Sequence, residues 1–393
     1  MHDVKKELRR AAGGYPAPSF DLEAVRQRRG HREVVRRAGT IATVIVLVTA
    51  SGSALWSAFR GGSPELGDES ALTLPANGVV WFTQGVIGGR MEGIQLGSVQ
   101  PDGTHREILT DGIPATIGRS ISPDGSTIAF MRDPEGTPDG DYGIWTMRTD
   151  GSQLAQLTPS DGVDGDPQWS PDGAQILFTR HLGGVPGNPR SGIFVMNADG
   201  SGVHALTDDA QIDYASAEWS PDGGRILVNT YGAEGEGYVL FVMNADGSGL
   251  REIYRGPCGS PQWSPVGDAV LFQTGQKLLL LNVDTGSRRI VIDRLTQDVA
   301  FRWSPDGTRF VYALPVSPDE GEELRVVDIA SGADEAVAHG LEWRNPQPAW
   351  SPDGTRIAFV RDGDIWTVAM DGTDERWLTN TPQHEGLPVW AAA

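Results

Sequence analysis

Hydrophobic and polar positions follow two different rules along the 393 residues. Ala38 to Phe59, "AGTIATVIVLVTASGSALWSAF", contains no charged residue. As a helix rising about 1.5 Å per residue it reaches about 33 Å, enough for a hydrocarbon core. From residue 78 onward the apolar residues come instead in short runs such as "GVVWF", "ILFT" and "VLFVM", each bounded by polar turns rich in Gly, Asp and Pro. Short apolar runs between such turns predict strands. The pattern therefore predicts a transmembrane helix at 38–59, a linker at 60–77 and an all-β domain at 78–393, preceded by a short arm at 1–37.

The β part repeats. Ser-Pro pairs stand at Ser122-Pro123, Ser170-Pro171, Ser220-Pro221, Ser264-Pro265, Ser304-Pro305 and Ser351-Pro352, with prolines 48, 50, 44, 40 and 47 residues apart. Trp169, Trp219, Trp263, Trp303 and Trp350 precede five of the pairs, and Ile121 precedes the first. A second signature follows each pair, an apolar strand, a polar turn and another short strand, as in "IWTMRTDGSQLAQLT" and "IFVMNADGSGVHALT". Phe194 to Gly202 and Phe241 to Gly249 are the same nine residues, "FVMNADGSG".

Four short strands per unit cannot bury their own faces, and a period of 40 to 50 residues is that of a propeller blade. The first unit, from Val79 through "IQLGSVQPDGTHREIL", lacks its leading strand, whereas "EGLPVW" near the C-terminus supplies one with no unit after it. The expectation is a seven-bladed β-propeller of four-stranded antiparallel blades, closed by the strand near Leu387 to Trp390 pairing with the one at Val79. The order of apolar strand, Trp-Ser-Pro-Asp-Gly, strand, "DG" turn and "LT" resembles the WD-repeat-like propeller repeats of the TolB type over about Val79 to Trp390. Two departures are visible: Val266 replaces the aspartate in "WSPVGDA", and the first unit lacks the motif.

Ser-Pro-Asp-Gly raises a question of its own, because it holds a serine and an aspartate two positions apart. Pro presets φ near about -65°, Asp bonds nearby backbone N–H groups, and Gly accepts left-handed geometry, so the motif reads as a hairpin turn. The structural set is Trp169, Pro171, Asp172 and Gly173; Trp219, Pro221, Asp222 and Gly223; Trp263; Trp303, Pro305, Asp306 and Gly307; Trp350, Pro352, Asp353 and Gly354. Each tryptophan is expected to fill the wedge between adjacent blades. A catalytic serine needs a base and oxyanion donors, and none of the six has a histidine in its motif. No Gly-x-Ser-x-Gly, His-Glu-x-x-His or phosphate-loop sequence occurs. The "NADGSG" turns at Asn197 and Asn244 lack the later ligands of a calcium loop and read as Asp-Gly turns. No catalytic residue, metal ligand or cofactor is expected.

Charge changes the picture more than composition does. Residues 1–37 carry 10 Lys+Arg against 5 Asp+Glu, and residues 61–393 carry 21 against 47. The acidic body repels phosphate backbones, which argues against a nucleic-acid partner. Arg26, Arg28, Arg29, Arg32, Arg36 and Arg37 precede the uncharged run and only Arg60 closely follows it, so the positive-inside bias puts the arm in the cytoplasm and the β domain outside the cell membrane. A cleaved signal peptide with a long basic region is the alternative. Cys258 is the single cysteine, which excludes an internal disulfide and reads as a small semi-buried residue.

Residues that precede the innermost strands converge in a propeller, so Asp164, Asp213, Asp298, Glu342, His384 and Glu385 are the candidates for binding at the channel mouth, with solvation as their plainer role. The resemblance to TolB-type propellers implies a protein-binding or scaffold module with a protein partner on its extracytoplasmic face. Two other readings stay open: a transmembrane sensor that signals through the arm, and a metal-dependent, lactonase-like hydrolase.

Overall fold

A computed structural model describes residues 78–391 apart from 86–93, 110–115, 133–141, 160–161, 186–187, 208–212, 232–237, 318–320 and 342–347; the arm, the apolar run and the linker expected at 1–37, 38–59 and 60–77 lie outside the described residues. Among the described residues no helix is long and apolar enough to cross a membrane.

Among the described residues, twenty-eight strands form seven four-stranded antiparallel sheets. Blade one holds β1 (Val79–Gly85), β2 (Ile94–Val99) and β3 (Glu107–Ile108). Blade two is β4 (Thr116–Ile121), β5 (Thr127–Arg132), β6 (Gly143–Arg148) and β7 (Ala155–Gln156). Blade three is β8 (Asp164–Trp169), β9 (Gln175–Val185), β10 (Asn188–Asn197) and β11 (His204–Ala205). Blade four is β12 (Asp213–Trp219), β13 (Arg225–Tyr231), β14 (Val239–Asn244) and β15 (Arg251–Arg255). Blade five is β16 (Gly259–Trp263), β17 (Ala269–Thr274), β18 (Lys277–Asn282) and β19 (Arg288–Ile292). Blade six is β20 (Phe301–Trp303), β21 (Arg309–Ser317), β22 (Gly321–Asp328) and β23 (Asp334–Leu341). Blade seven is β24 (Ala349–Trp350), β25 (Arg356–Arg361), β26 (Asp364–Ala369) and β27 (Arg376–Trp377). The last strand, β28 (His384–Ala391), returns to blade one and pairs with β1, Val80 opposite Trp390 and Gly85 opposite His384.

Closure thus follows the register expected from the two incomplete units. It leaves β1 with a partner on each side, which removes a free edge at the seam. The strands β4, β8, β12, β16, β20, β24 and β28 are innermost, since they approach one another from blade to blade. The outermost strands β7, β11 and β27 are exposed.

Seven apolar clusters fill the seven wedges, each fed by two neighbouring blades. Trp219 packs with Leu177, Ile193 and Val195 of blade three and with Ile226 and Val228 of its own blade. Trp263 repeats the arrangement between blades four and five, and Trp350 between six and seven. Trp169 does so between two and three, Trp303 packs against the cluster between five and six, and Ile121 serves between one and two. Trp390 of the closing strand completes the series against Ala358, Val360 and Ile365 of blade seven. Indole rings bring a large buried area to each wedge, which explains the spacing of tryptophan along the chain.

Candidate functional site

The Ser-Pro-Asp-Gly residues form closed turns. In blade four the Gly223 N–H donates to Ser220 O at 2.8 Å, and Gly223 takes φ 69°. Ser220 Oγ donates to Asp222 Oδ1 at 2.6 Å and accepts the Arg225 N–H at 2.8 Å, while Asp222 Oδ1 also accepts the Gly224 N–H at 3.0 Å. The same pattern holds at Ser170 with Asp172, Ser304 with Asp306 and Ser351 with Asp353. The Ser220 hydrogen bond, followed by the Gly224 N–H, holds the Asp222 carboxyl below the usual aspartate range. In each of these turns the serine's one proton is committed to its own aspartate, so the recurring pair is scaffold. Successive turns lie close: a Cβ at Gly173, Gly223 or Gly354 would meet the ring of Pro123, Pro171 or Pro305 of the preceding turn.

Two of the six residues expected at the channel mouth are clamped to arginines. Asp164, buried at the start of β8, takes Arg180 Nε and Nη2 at 2.7 Å each, with the guanidinium over the Phe178 and Phe194 rings. Glu385, fully buried on β28, accepts Arg106 Nη2 at 2.7 Å and Thr381 Oγ1 at 3.2 Å, and Arg106 also reaches over Phe82 and bonds Gln84. Asp298 and His384 are exposed, Asp213 opens β12 with its side chain outside the described residues, and Glu342 lies outside them altogether. The structure therefore gathers none of these six into one cluster among the described residues.

A different polar set lines the inner strands. The residue before the Ser-Pro motif's Trp or Ile reaches the neighbouring blade at three places: Glu218 Oε2 accepts the Trp263 N–H at 3.2 Å, Gln262 Nε2 donates to Phe301 O at 2.9 Å, and Ser120 Oγ accepts the Trp169 N–H at 3.2 Å. Gln168, Ser216, Glu218, Leu227, Asn229, Pro261 and Gln262 surround a small, partly open cavity drawn from blades three, four and five. Burial pushes Glu218 up to about 8, opposed by the Trp263 N–H and by Arg302, and burial brings Arg302 down to about 10, opposed by Glu218. Asp166, half-buried on β8, is pushed up to about 6 by burial. Its φ of 49° is uncommon for a residue other than glycine, and the following Pro167 disfavours helical geometry there. Ser260, which also precedes a proline, sits at φ 48° in β16, and both strands are bulged at that point.

Sequence reasoning missed Gln168, Glu218, Gln262 and Arg302. The available signal was a polar side chain immediately before the motif tryptophan, where a strand buried in a wedge would otherwise carry an apolar one. Among the described residues, no three His, Cys, Asp or Glu side chains are gathered in a way that could hold a metal ion.

The profile of the TolB beta propeller domain matches residues 99–235 and 227–393. The chain belongs to the TolB beta-propeller family. Two family-level relatives show how the likeness is distributed. It is 28% identical over 226 residues to the uncharacterised protein Atu1656 of Agrobacterium fabrum, covering 54% of this chain and 73% of that protein. It is 30% identical over 128 residues to the Tol-Pal system protein TolB of Anaeromyxobacter dehalogenans, covering 29% of this chain but 26% of that one. Among solved structures, TolB of Acinetobacter baumannii superposes with a TM-score of 0.50 at 17% identity, covering 79% of this chain and 82% of that chain. An oligogalacturonate lyase in complex with manganese superposes with a TM-score of 0.58 at 15% identity, covering 70% and 82%. At these identities the structural likeness is one of fold, and the TolB-type propeller is shared by enzymes and by a Tol-Pal component alike.

Proposed function

We propose that the chain is a membrane-anchored, extracytoplasmic TolB-like propeller that serves as a protein-binding module. The observation that carries this reading is the closed hydrogen bonding of the repeated motif: the recurring serines and aspartates hold turns, which leaves the connections that differ between blades to carry function. On the face bearing the Ser-Pro-Asp-Gly turns, the inner and second strands are joined by near-identical connections. On the opposite face the connections between second and third strands vary, from the two residues between Thr274 and Lys277 to the long β9–β10 hairpin. Variable loops on a rigid scaffold are where binding residues concentrate.

The acidic body fits a tethered role of this kind, because it favours standing off from anionic lipid. The test is proximity labelling in the native envelope, with the full chain carrying a labelling enzyme at its C-terminus. Reproducible extracytoplasmic protein neighbours that disappear when the β9–β10 hairpin is shortened support the module. Labelling confined to cytoplasmic proteins overturns it.

A further inference from the structure

Arg132, Arg180 and Arg361 hold one register position in the second strands of blades two, three and seven, two residues beyond Phe130, Phe178 and Phe359. In each blade the guanidinium lies over the aromatic ring that the third strand places opposite that phenylalanine, 4.6 Å from the centre of the Trp145 ring, 5.0 Å from Phe194 and 5.0 Å from Trp366. Blade three closes its fork: Arg180 Nε donates to Asp164 Oδ1 and Nη2 to Asp164 Oδ2. Blade seven closes its own with an ion pair to Glu375 and a hydrogen bond to His339 O. Blade two differs. Asp164 stands opposite Arg180 in the strand ladder, whereas Thr116 stands opposite Arg132, so the carboxylate that answers the arginine in blade three has no counterpart at this register. Among the described residues no hydrogen bond or ion pair reaches Arg132; its Nε is buried without a partner, and the residue as a whole is half-buried.

We infer that Arg132 receives the carboxylate of a ligand, carried either by a free organic acid such as a sugar acid or by an acidic side chain of a protein. A guanidinium offers only donors, in a planar fork that matches a carboxylate in shape as well as charge. Stacking on Trp145 holds that fork in place before binding, which lowers the cost of ordering it. Residues 61–393 carry 47 Asp+Glu against 21 Lys+Arg, so an intrachain carboxylate is easy to supply, and the sister blade supplies one in the same seat. β5 begins after the Ser122-Pro123 turn and ends at Arg132, which puts the fork on the face where the connections between blades' strands vary. Neither the membrane anchor nor a particular protein partner is needed for this site.

The test is calorimetric titration of the full chain in nonionic detergent, at low salt and a pH of about 7 so that carboxylates are ionised. The probes are sodium glucuronate, the end-blocked tripeptide Ala-Glu-Ala and inorganic phosphate, with glucuronamide and end-blocked Ala-Gln-Ala as neutral controls. The unaltered chain binds a carboxylate probe and neither control. Arg132→Met, which keeps the aliphatic stem over Trp145, weakens that binding at least about tenfold. Thr116→Asp copies the clamp of blade three and fills the fork from within, so it abolishes binding and raises the urea midpoint; a raised midpoint also shows that this loss does not come from misfolding. Tighter binding of glucuronate assigns the site to a free acid, tighter binding of Ala-Glu-Ala to an acidic side chain, and equal binding to the carboxylate alone. No binding of either carboxylate overturns the inference, as does phosphate bound more tightly than both, carboxylate binding that survives either substitution, or a lowered urea midpoint in Thr116→Asp.

Discussion

Ser220 shows how much one side chain does when its hydroxyl both donates and accepts. Its proton goes to Asp222 and its oxygen receives the Arg225 N–H, so Asp222→Ala removes two bonds at once and leaves Ser220 without its acceptor. Urea unfolding should show a loss of about 1–2 kcal/mol, with cooperativity unchanged. Two pH effects of opposite sign follow from the carboxyls. Asp172 and Asp222 are held low by their serines and by backbone N–H groups, so their contribution is present above the unfolded aspartate value of about 3.9 and is lost as pH falls through the lower folded value. Glu218 is raised by burial to about 8, so its contribution is full below the unfolded value of about 4.3 and is lost as pH rises through the folded one. The urea midpoint of Glu218→Gln should therefore gain on that of the unaltered chain between pH about 4.5 and 8, and parallel curves would contradict the burial. Cys258 is pushed up to about 12 by burial, and because the thiolate is the reactive form, maleimide should label the native chain about 100-fold more slowly than the urea-unfolded chain.

At the scale of a turn or strand, Val266 marks the one Ser-Pro turn without its aspartate. Ser264 Oγ finds the Val266 N–H at 3.4 Å, Gly267 opens to φ 145° where the sister glycines lie between 66° and 71°, and the half-exposed valine presses against Gly307. Val266→Asp restores the Ser-Asp bond and withdraws an exposed apolar group, for an expected gain of about 0.5–1 kcal/mol in urea unfolding. The closing strand is also tied to blade one by a part-buried ion pair between Arg106 and Glu385. Arg106→Ala strands Glu385, whose Oε2 is already buried without a partner, and should cost about 3–5 kcal/mol. Arg106→Met with Glu385→Gln should cost less than Arg106→Ala alone, since it removes the charge along with its partner. Equal losses for the two would show that the pair contributes through packing over Phe82 instead.

Across the whole molecule, stability is shared among seven wedges and one seam, and the ring is complete only when residues far apart in the chain meet at β1 and β28. Deleting residues 384–393 removes Trp390 from the wedge between blades seven and one and exposes the edge of β1. Such a chain should unfold over a broad, non-cooperative range by circular dichroism and associate through the free edge. Blade number, strand order and the closing pair were legible in the sequence because every unit must satisfy the same local rules: a glycine where φ is positive, a proline to preset the turn, and a tryptophan to fill the wedge. The polar lining was not legible. Whether Glu218 meets water, an arginine or a cavity depends on Gln168 and Gln262, which stand 50 and 44 residues away in the chain.

Taken alone, the amino-acid order determined the period, the seven blades, the turns at Ser-Pro-Asp-Gly and the charge contrast between residues 1–37 and 61–393, since each rests on local geometry or on counting. Only the tertiary structure decided which acidic residues are clamped and which are left short of partners. Asp164 and Glu385, chosen for their place ahead of inner strands, are held by Arg180 and Arg106, whereas Glu218 and Gln168 border one small cavity, where Gln168 Oε1 is buried with no hydrogen-bond partner. Turn chemistry is set within five residues of chain, but desolvation and hydrogen-bond supply are set by whichever blades the closed ring brings together.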